Sequence, residues 1–397
     1  MSFEVKLFEG KRDYLLFFAF LSIVFCINIT LKYNKYKNLT KKPVNTIYAT
    51  VINQYQKTKH NKTYIVLKLR SKDGYTFYTT SKEDLKNLIY AKLRLKIVTK
   101  NIHFIDLFKG FYAPTFNIEL MQKDRLKDDI LNFISSQHEN NLTKEPFSAL
   151  FLAKPISKEL RDKVSNLGIS HLIAISGFHL GVLFFILYTL LKYPYQFFQD
   201  RFFPYRNRRF DLTVFIIAIL FFYLYLLGFI PSLVRSYVML IVGFILYDRF
   251  VKVISFEVLT VAVLLILAFI PSFFFSIGFW FSVSGVYFIF LFIKHFSHFK
   301  EWKTILFLNI WVYIMMLPII HYIFPKFTFL QLLSPLLSIA FIIFYPVELF
   351  LHLIGQGDLL DGLILKLFEL KSSVYQIHTP LWFLVLFLGL SFFILFL

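Results

Sequence analysis

The sequence predicts a polytopic α-helical membrane protein with an N-terminal anchor helix and a small all-β domain near its start. Three observations predict this class. Of 397 residues, 57% are hydrophobic and 53 are Phe, more apolar surface than one globular core can bury. From residue 171 onward the apolar residues gather into successive runs of membrane-spanning length. Between 43 and 120 the pattern changes to polar and apolar residues in alternation, the period of strands. The formal net charge of +19 points to a polyanion or an anionic membrane surface as partner. Cys26 is the single cysteine, which excludes an internal disulfide framework and a cysteine metal site.

The elements follow in order. Residues 1–12 end on Lys11 and Arg12 and read as a cytoplasmic N-terminus by the positive-inside rule. Residues 13–31 are apolar and lack a small-x-small cleavage site, so they read as a retained membrane anchor. Residues 43–120 read as a β domain with strands at 46–52, 63–69, 75–79 and 92–98, and a fifth near 116–120. Asp73-Gly74 marks a hairpin turn, and a helical insert is expected near 82–89. Five short strands with such an insert suggest an OB-like barrel. Residues 121–165 read as an amphipathic helical connector, with Leu126, Ile130, Leu131 and Ile134 at helical spacing. Residues 166–397 read as a multi-helix membrane domain, with spans near 171–191, 211–230, 232–248, 253–270, 272–293, 304–324, 329–350 and 380–397.

Charge supports a sidedness. Lys192, Arg201, Arg206, Arg208 and Arg209 form one basic loop, Arg249 and Lys252 a second, and Lys294, Lys300 and Lys303 a third. The alternate turns carry little charge, so the basic loops read as cytoplasmic and the β domain as extracytoplasmic. From Lys32 to Lys109 there are 18 Lys or Arg against 4 acids, a surplus of 14 that is most of the net charge. Tyr48, Tyr55, Tyr64, Tyr75, Phe77 and Tyr78 are interleaved with it. A basic barrel with aromatic faces can hold single-stranded nucleic acid without sequence choice. The candidate contacts are Lys57, Lys59, Lys62, Lys68, Arg70, Tyr75 and Tyr78. The competing reading is a solvated Lys-rich surface with the tyrosines in a small core.

The densest polar cluster within an apolar run is H-L-I-A-I-S-G-F-H-L-G, His171 to Gly181. Polar side chains inside a membrane helix are costly and usually serve a site or a path. At helical spacing Ser176 and His179 share one face, and His171 falls on another, as an interface-level residue. Gly177 and Gly181 form a G-x-x-x-G pair suited to close helix approach. A tightly packed helix whose Ser and His bond neighbouring backbone explains any one of these residues equally well.

The run G-I-S-H-L-I-A-I-S-G-F-H-L-G (168–181) resembles the signature of the ComEC-type competence channels of bacterial inner membranes. A second run, G-F-I-P-S-L-V-R-S-Y-V-M (228–239), matches the family's pattern at Gly228, Ser232, Arg235, Ser236 and Met239. A third, P-S-F-F-F-S-I-G-F-W-F-S-V-S-G-V (271–286), places Gly278, Phe279 and Ser282. Two places depart from the family: Ala153-Lys154 stands where a glycine and an acid are usual, and Ser334 where an asparagine is usual. The resemblance implies passage of single-stranded DNA into the cytoplasm during natural transformation. Ser176, His179 and Arg235 would then line or gate the path. It also implies a β domain after the first span, contact with membrane lipids, and a separate DNA receptor, cytoplasmic helicase or motor, and nuclease as partners.

Other chemistry is thinly represented. There is no H-x-H-x-D-H pattern of the metallo-β-lactamase-like domain that ends longer members, so the chain reads as a short form. There is no G-x-x-x-x-G-K-[ST] loop for ATP hydrolysis. No cofactor or metal is expected, and the chain reads as a channel rather than an enzyme. A transporter of another anionic polymer or lipid-linked substrate would use the same features. An intramembrane serine hydrolase built on Ser176 and His179 lacks an identifiable oxyanion hole. His321 and His352 match no motif and read as isolated structural residues; Leu359 to Leu370 reads as a surface-lying amphipathic helix.

Overall fold

The computed structural model describes residues 10–59, 62–81, 87–248, 255–296 and 299–395; the side chains of Lys59, Lys62, Gln122, Lys123 and Asp248 lie outside that description. So do Arg249 and Lys252 of the second basic loop and the first five residues of the expected insert. The chain divides into two compact units.

The first unit comprises Phe8–Ser135 with Val263–Phe279. It opens with α1, Lys11–Thr40, thirty residues without a break. The expected anchor stopped at residue 31. The helix runs on because Lys32 to Thr40 contains no Gly or Pro, and Pro43 then excludes further helix. Its apolar face is outward, with Leu15 71% and Ile23 61% exposed, while its last turns place Tyr36 and Leu39 against the β core.

Strands β1 (Val44–Lys59), β2 (Lys62–Ser71), β3 (Thr76–Ser81) and β4 (Ala91–Val98) follow. A short helix α2 (Asp106–Lys109) leads into β5 (Phe111–Tyr112) and β6 (Thr115–Lys123). The sheet order is β5-β3-β2-β1-β4-β6. β5 pairs with β3 in parallel and β6 with β4 antiparallel, so the two ends of the sheet are taken by consecutive strands of one segment. Ala113, between them, donates its N–H to Tyr78 O at 2.9 Å. In β4 every other residue is buried: Ala91, Leu93, Leu95 and Ile97 face in, and Lys92, Arg94 and Lys96 face out. Val51, Leu67, Leu69 and Phe77 complete the core, and each such side chain contributes roughly 1.5–3 kcal/mol by leaving water. Asn87 to Ile89, the described end of the expected insert, is not helical. Helix α3 (Arg125–Ser136) ends this part of the chain.

The second unit is chiefly Ser136–Ala262 and Trp280–Leu397. The connector region contains three helices. After α3 come α4 (Asn141–Leu152) and α5 (Lys158–Asn166), each begun by a side-chain cap, Asn140 and Ser157. Ala153 ends α4 in the left-handed region, φ 54°, which explains why a glycine suits that place.

The apolar helices follow: α6 (Ser170–Ile173), α7 (Gly177–Phe202), α8 (Arg208–Leu227), α9 (Pro231–Asp248), α10 (Phe256–Phe269), α11 (Ile277–Phe296) and α12 (Glu301–Ile323). β7 (Lys326–Thr328) pairs antiparallel with β8 (Val374–Gln376), with α13 (Ser334–Leu353) and α14 (Asp361–Glu369) between them in sequence, and α15 (Leu381–Ile394) comes last. Among the described residues six helices, counting α1 and the segment ending in α13, are long and apolar enough to cross a membrane. That is fewer than the nine spans expected. α9, α10 and α15 are apolar but shorter. Pro335, which on sequence alone allows a discontinuous or re-entrant helix, lies within the bounds of α13. It sits in the first turn of α13, after a 3-10 turn at Phe329–Leu333, where its missing N–H costs nothing.

Candidate functional site

The signature is not one helix. The expected span from 171 is interrupted: α6 ends at Ile173, Ala174 is extended, and α7 begins only at Gly177. Ser176 is the N-cap, and His179, three residues on, turns back to it. His179 Nδ1 accepts from Ser176 N and lies 3.0 Å from Ser176 Oγ. Ser and His three apart thus serve as a helix-starting pair, with His in the place a Glu or Gln usually takes. His179 is 1% exposed, packed by Phe178, Phe341 and Tyr345, and its Nε2 has no hydrogen-bond partner.

The second motif lies against this start. Ser232 Oγ donates to Ile175 O at 2.8 Å, satisfying a carbonyl freed by the break. A Cβ on Gly177 would stand 2.5 Å from Ser236 Oγ and 3.3 Å from Arg235 Nη2, so only glycine admits α9 this closely. Gly181, its expected partner in close packing, has nothing within 4 Å of a Cβ and does not share the role. Gly228 caps α8 at φ 77°.

Arg235 gathers the motifs. Its Nε donates to Ser282 Oγ at 2.7 Å, from the third run, its Nη2 to Ser236 Oγ at 3.0 Å, and its Nη1 to Met239 Sδ at 3.0 Å. The residue is 6% exposed. Among the described residues no carboxylate pairs with it, so a cation is held inside by neutral groups alone. Gly278, of the third run, stands clear, with Ser276 Oγ 4.0 Å from a built Cβ. Phe279 is fully buried at the first turn of α11.

His171 packs on another partner: its Nε2 is 3.1 Å from Ser338 Oγ. Ser334, a place of departure left without a role, donates to Gly168 O at 2.9 Å, and Gln331 donates to Ser165 O at 3.0 Å. These ties hold the turn before the signature. No sequence pattern beyond the Ser334-Pro335 pair marks them.

In the β unit the expected contacts separate. Tyr75 is 3% exposed and packs on Phe77 and Phe111, so it belongs to the core and not to an outer face. Burial pushes its phenol up to about 12, and that of Tyr90 likewise to about 12. Arg70 is half-buried and its guanidinium is lowered by burial. Lys68 and Tyr78 face each other across β2 and β3, the ammonium 5.5 Å from the ring. Lys57 is exposed. The side chains of Lys59 and Lys62 lie outside the described residues. Beside these candidates stand Lys92, Arg94 and Lys96, which their residue types alone did not single out, exposed at every second position with Arg94 opposite the exposed Tyr48. The period of two in K-L-R-L-K was the available signal.

Comparison with known proteins agrees with the signature. A family model described as Competence protein matches residues 153–397, which take in all three motifs. A protein of Aquifex aeolicus (strain VF5), described as uncharacterized, is 25% identical over 178 residues, covering 43% of this chain and 40% of that protein. The chain therefore spans less than half the length of this relative. No solved structure matches the chain. With the Ser176 cap, the Gly177 contact and the Arg235 cluster all inside the matched region, the chain belongs to the Competence protein family.

Proposed function

We propose that the chain is an inner-membrane channel that passes single-stranded DNA toward the cytoplasm. The observation that carries this reading is Arg235, which no carboxylate among the described residues pairs, beside the start of α7. The N-terminus of a long helix carries partial positive charge, and a guanidinium lies against it. Two positive groups converging away from water favour an anion, and a phosphate diester suits both. Membership of the Competence protein family supports reading that phosphate as part of a DNA strand. Contact with phosphate alone is indifferent to sequence, as uptake of arbitrary DNA requires.

The β unit has a place in this reading. A five-stranded OB-like barrel, its last strand split into β5 and β6, fits the observed pairing order. Lys68 and Tyr78 with Lys92, Arg94 and Lys96 would form its strand-holding face, outside the cytoplasm. Receptor, motor and nuclease would be separate proteins. Residues 43–120, 121–165 and 166–397 would then be receiving, connecting and conducting parts.

The test follows labelled duplex DNA in cells lacking the protein, with nuclease-protected label scored separately inside and outside the inner membrane. Label held outside and never delivered supports the channel. Undiminished delivery removes the reading and moves a different anionic polymer to the front.

A further inference from the structure

Away from Arg235, four titratable side chains form a continuous chain in the second unit. Asp361, at the start of α14, places Oδ1 and Oδ2 at 2.9 and 3.0 Å from His138 Nδ1. His138 Nε2 lies 3.1 Å from His352 Nε2. His352 Nδ1 lies 2.8 Å from the backbone oxygen of Glu348 and 3.2 Å from its carboxylate Oε2. The side chain of Asp361 is 15% exposed, and those of His138 and Glu348 are not exposed at all. Among the described residues neither carboxylate oxygen of Glu348, both buried, has a hydrogen-bond partner. The expectation that His352 is isolated is corrected here.

Hydrogen-bond accounting fixes how many protons this chain holds. A backbone carbonyl only accepts, so His352 Nδ1 carries hydrogen. The contact between the two Nε2 atoms then needs one hydrogen more. With Asp361 ionised, His138 Nδ1 must donate to it, and the extra proton makes one imidazole a cation. With Asp361 protonated, its O–H donates to His138 Nδ1, and His138 donates from Nε2 to His352. These states contain the same number of protons and differ only in where one of them sits. It can rest on Asp361, on His138 or on His352. From the His352 cation, Nδ1–H is 3.2 Å from Glu348 Oε2, a carboxylate that burial has left without any donor.

We propose that Asp361, His138, His352 and Glu348 form a proton-relay site that carries a proton from the partly exposed Asp361 to the buried Glu348. In the loading step an O–H bond forms at Asp361 at the expense of a hydronium or a buffer acid. The proton passes to His138 Nδ1 as the Nε2 proton of His138 passes to His352. His352 Nδ1–H then breaks as Glu348 Oε2–H forms. No electron is transferred and no co-reactant beyond the acid is needed.

The surroundings suit such a relay. Phe147 stacks on His138 at 4.8 Å and lies 4.5 Å from His352; Phe151 is 4.9 Å from His352. These rings exclude water from the middle of the chain and leave its end at Asp361 accessible. Gln137 fixes the far side, accepting from Gly357 N at 2.9 Å and donating to His352 O at 3.1 Å. The other titratable groups nearby are turned elsewhere. Glu145 of α4 accepts from Ser157 N, and Lys163 of α5 donates to Phe368 O. Tyr345 of α13 packs on Phe151, its ring 6.2 Å away. The same tyrosine lies 4.6 Å from the ring of His179, so the relay and the signature share a packed aromatic wall. The relay stands whether or not the substrate is DNA.

The test uses the full chain in lipid nanodiscs. Infrared difference spectra between about pH 5 and 8, where imidazoles titrate, read the carboxylic C=O stretch, and nitrogen-labelled histidine is followed by NMR. Expected are a protonated-carboxyl band that appears on acidification and is missing in Glu348→Gln, and an imidazolium signal shared by His138 and His352 that Asp361→Asn removes. Glu348→Gln keeps volume and serves if Asp361→Asn folds poorly. A band unchanged by Glu348→Gln, or two histidines that stay neutral across the range in the unaltered protein, overturns the relay and leaves a structural cluster.

Discussion

The two units solve opposite problems with the same residue types. In the β unit, charge is outside and the apolar residues are inside: Lys92, Arg94 and Lys96 are exposed, and Leu93, Leu95 and Ile97 are buried between them. In the membrane unit, large apolar side chains are outside, with Phe222 70% and Ile343 71% exposed, and the buried set includes His179, Arg235, Gln331, Ser334, Glu348 and His352. The lesson is that burial alone does not mark a core. In water it marks where apolar surface is hidden, and in lipid it marks where polar groups find one another.

Changes at matched depth should therefore act differently. The largest effect is expected at Arg235. Arg235→Met removes a cation that no carboxylate among the described residues compensates, so thermal stability should stay level or rise. DNA delivery should fall roughly 10- to 100-fold, the worth of one or two charge-assisted bonds to phosphate. Loss of folded protein together with delivery would break the comparison. In the β unit, Leu95→Ala should cost about 2–5 kcal/mol in denaturant unfolding, as a core truncation does. A cost near zero would mean that the sheet is not this unit's core.

A subtler effect is expected on the outer face. Replacing Lys92, Arg94 and Lys96 by Gln should leave unfolding within about 0.5 kcal/mol of the parent. The same change should lower the salt dependence of single-strand binding by about 2 in the log–log slope. An unchanged slope would return those residues to an ordinary solvated surface. The smallest effect belongs to Ala153→Gly, which relieves a left-handed alanine and should stabilise by about 0.5–1 kcal/mol in the same assay.

Much of this was legible before the fold. Strand period placed β1 to β4 within a few residues at most starts, and the three motifs marked the segments that converge on Arg235. Two kinds of feature were not legible. Where a helix stops depends on contacts far away: α1 continues past Leu31 because Tyr36 and Leu39 find the β core, and the break before α7 persists because Ser232 takes up Ile175 O. Clusters assembled from distant positions leave no spacing to read. His138 and His352 are 214 residues apart in sequence and 3.1 Å apart in space. Tyr75 misled for a simpler reason, since a strand tyrosine has equal call to face in or out until its register is known.

The length of α1 has a mechanical consequence. Thirty residues of helix extend about 45 Å, and a bilayer core is about 30 Å thick, so roughly 15 Å must project as a stalk. That stalk ends inside the sheet's own core at Leu39, with Asn45 donating back to the oxygens of Asn38 and Leu39 at 3.3 and 3.2 Å. The β unit is consequently mounted on a mast and not hung on a leash. Its height above the lipid is set by the helix, and any tilt or turn of the anchor becomes the same tilt or turn of the sheet.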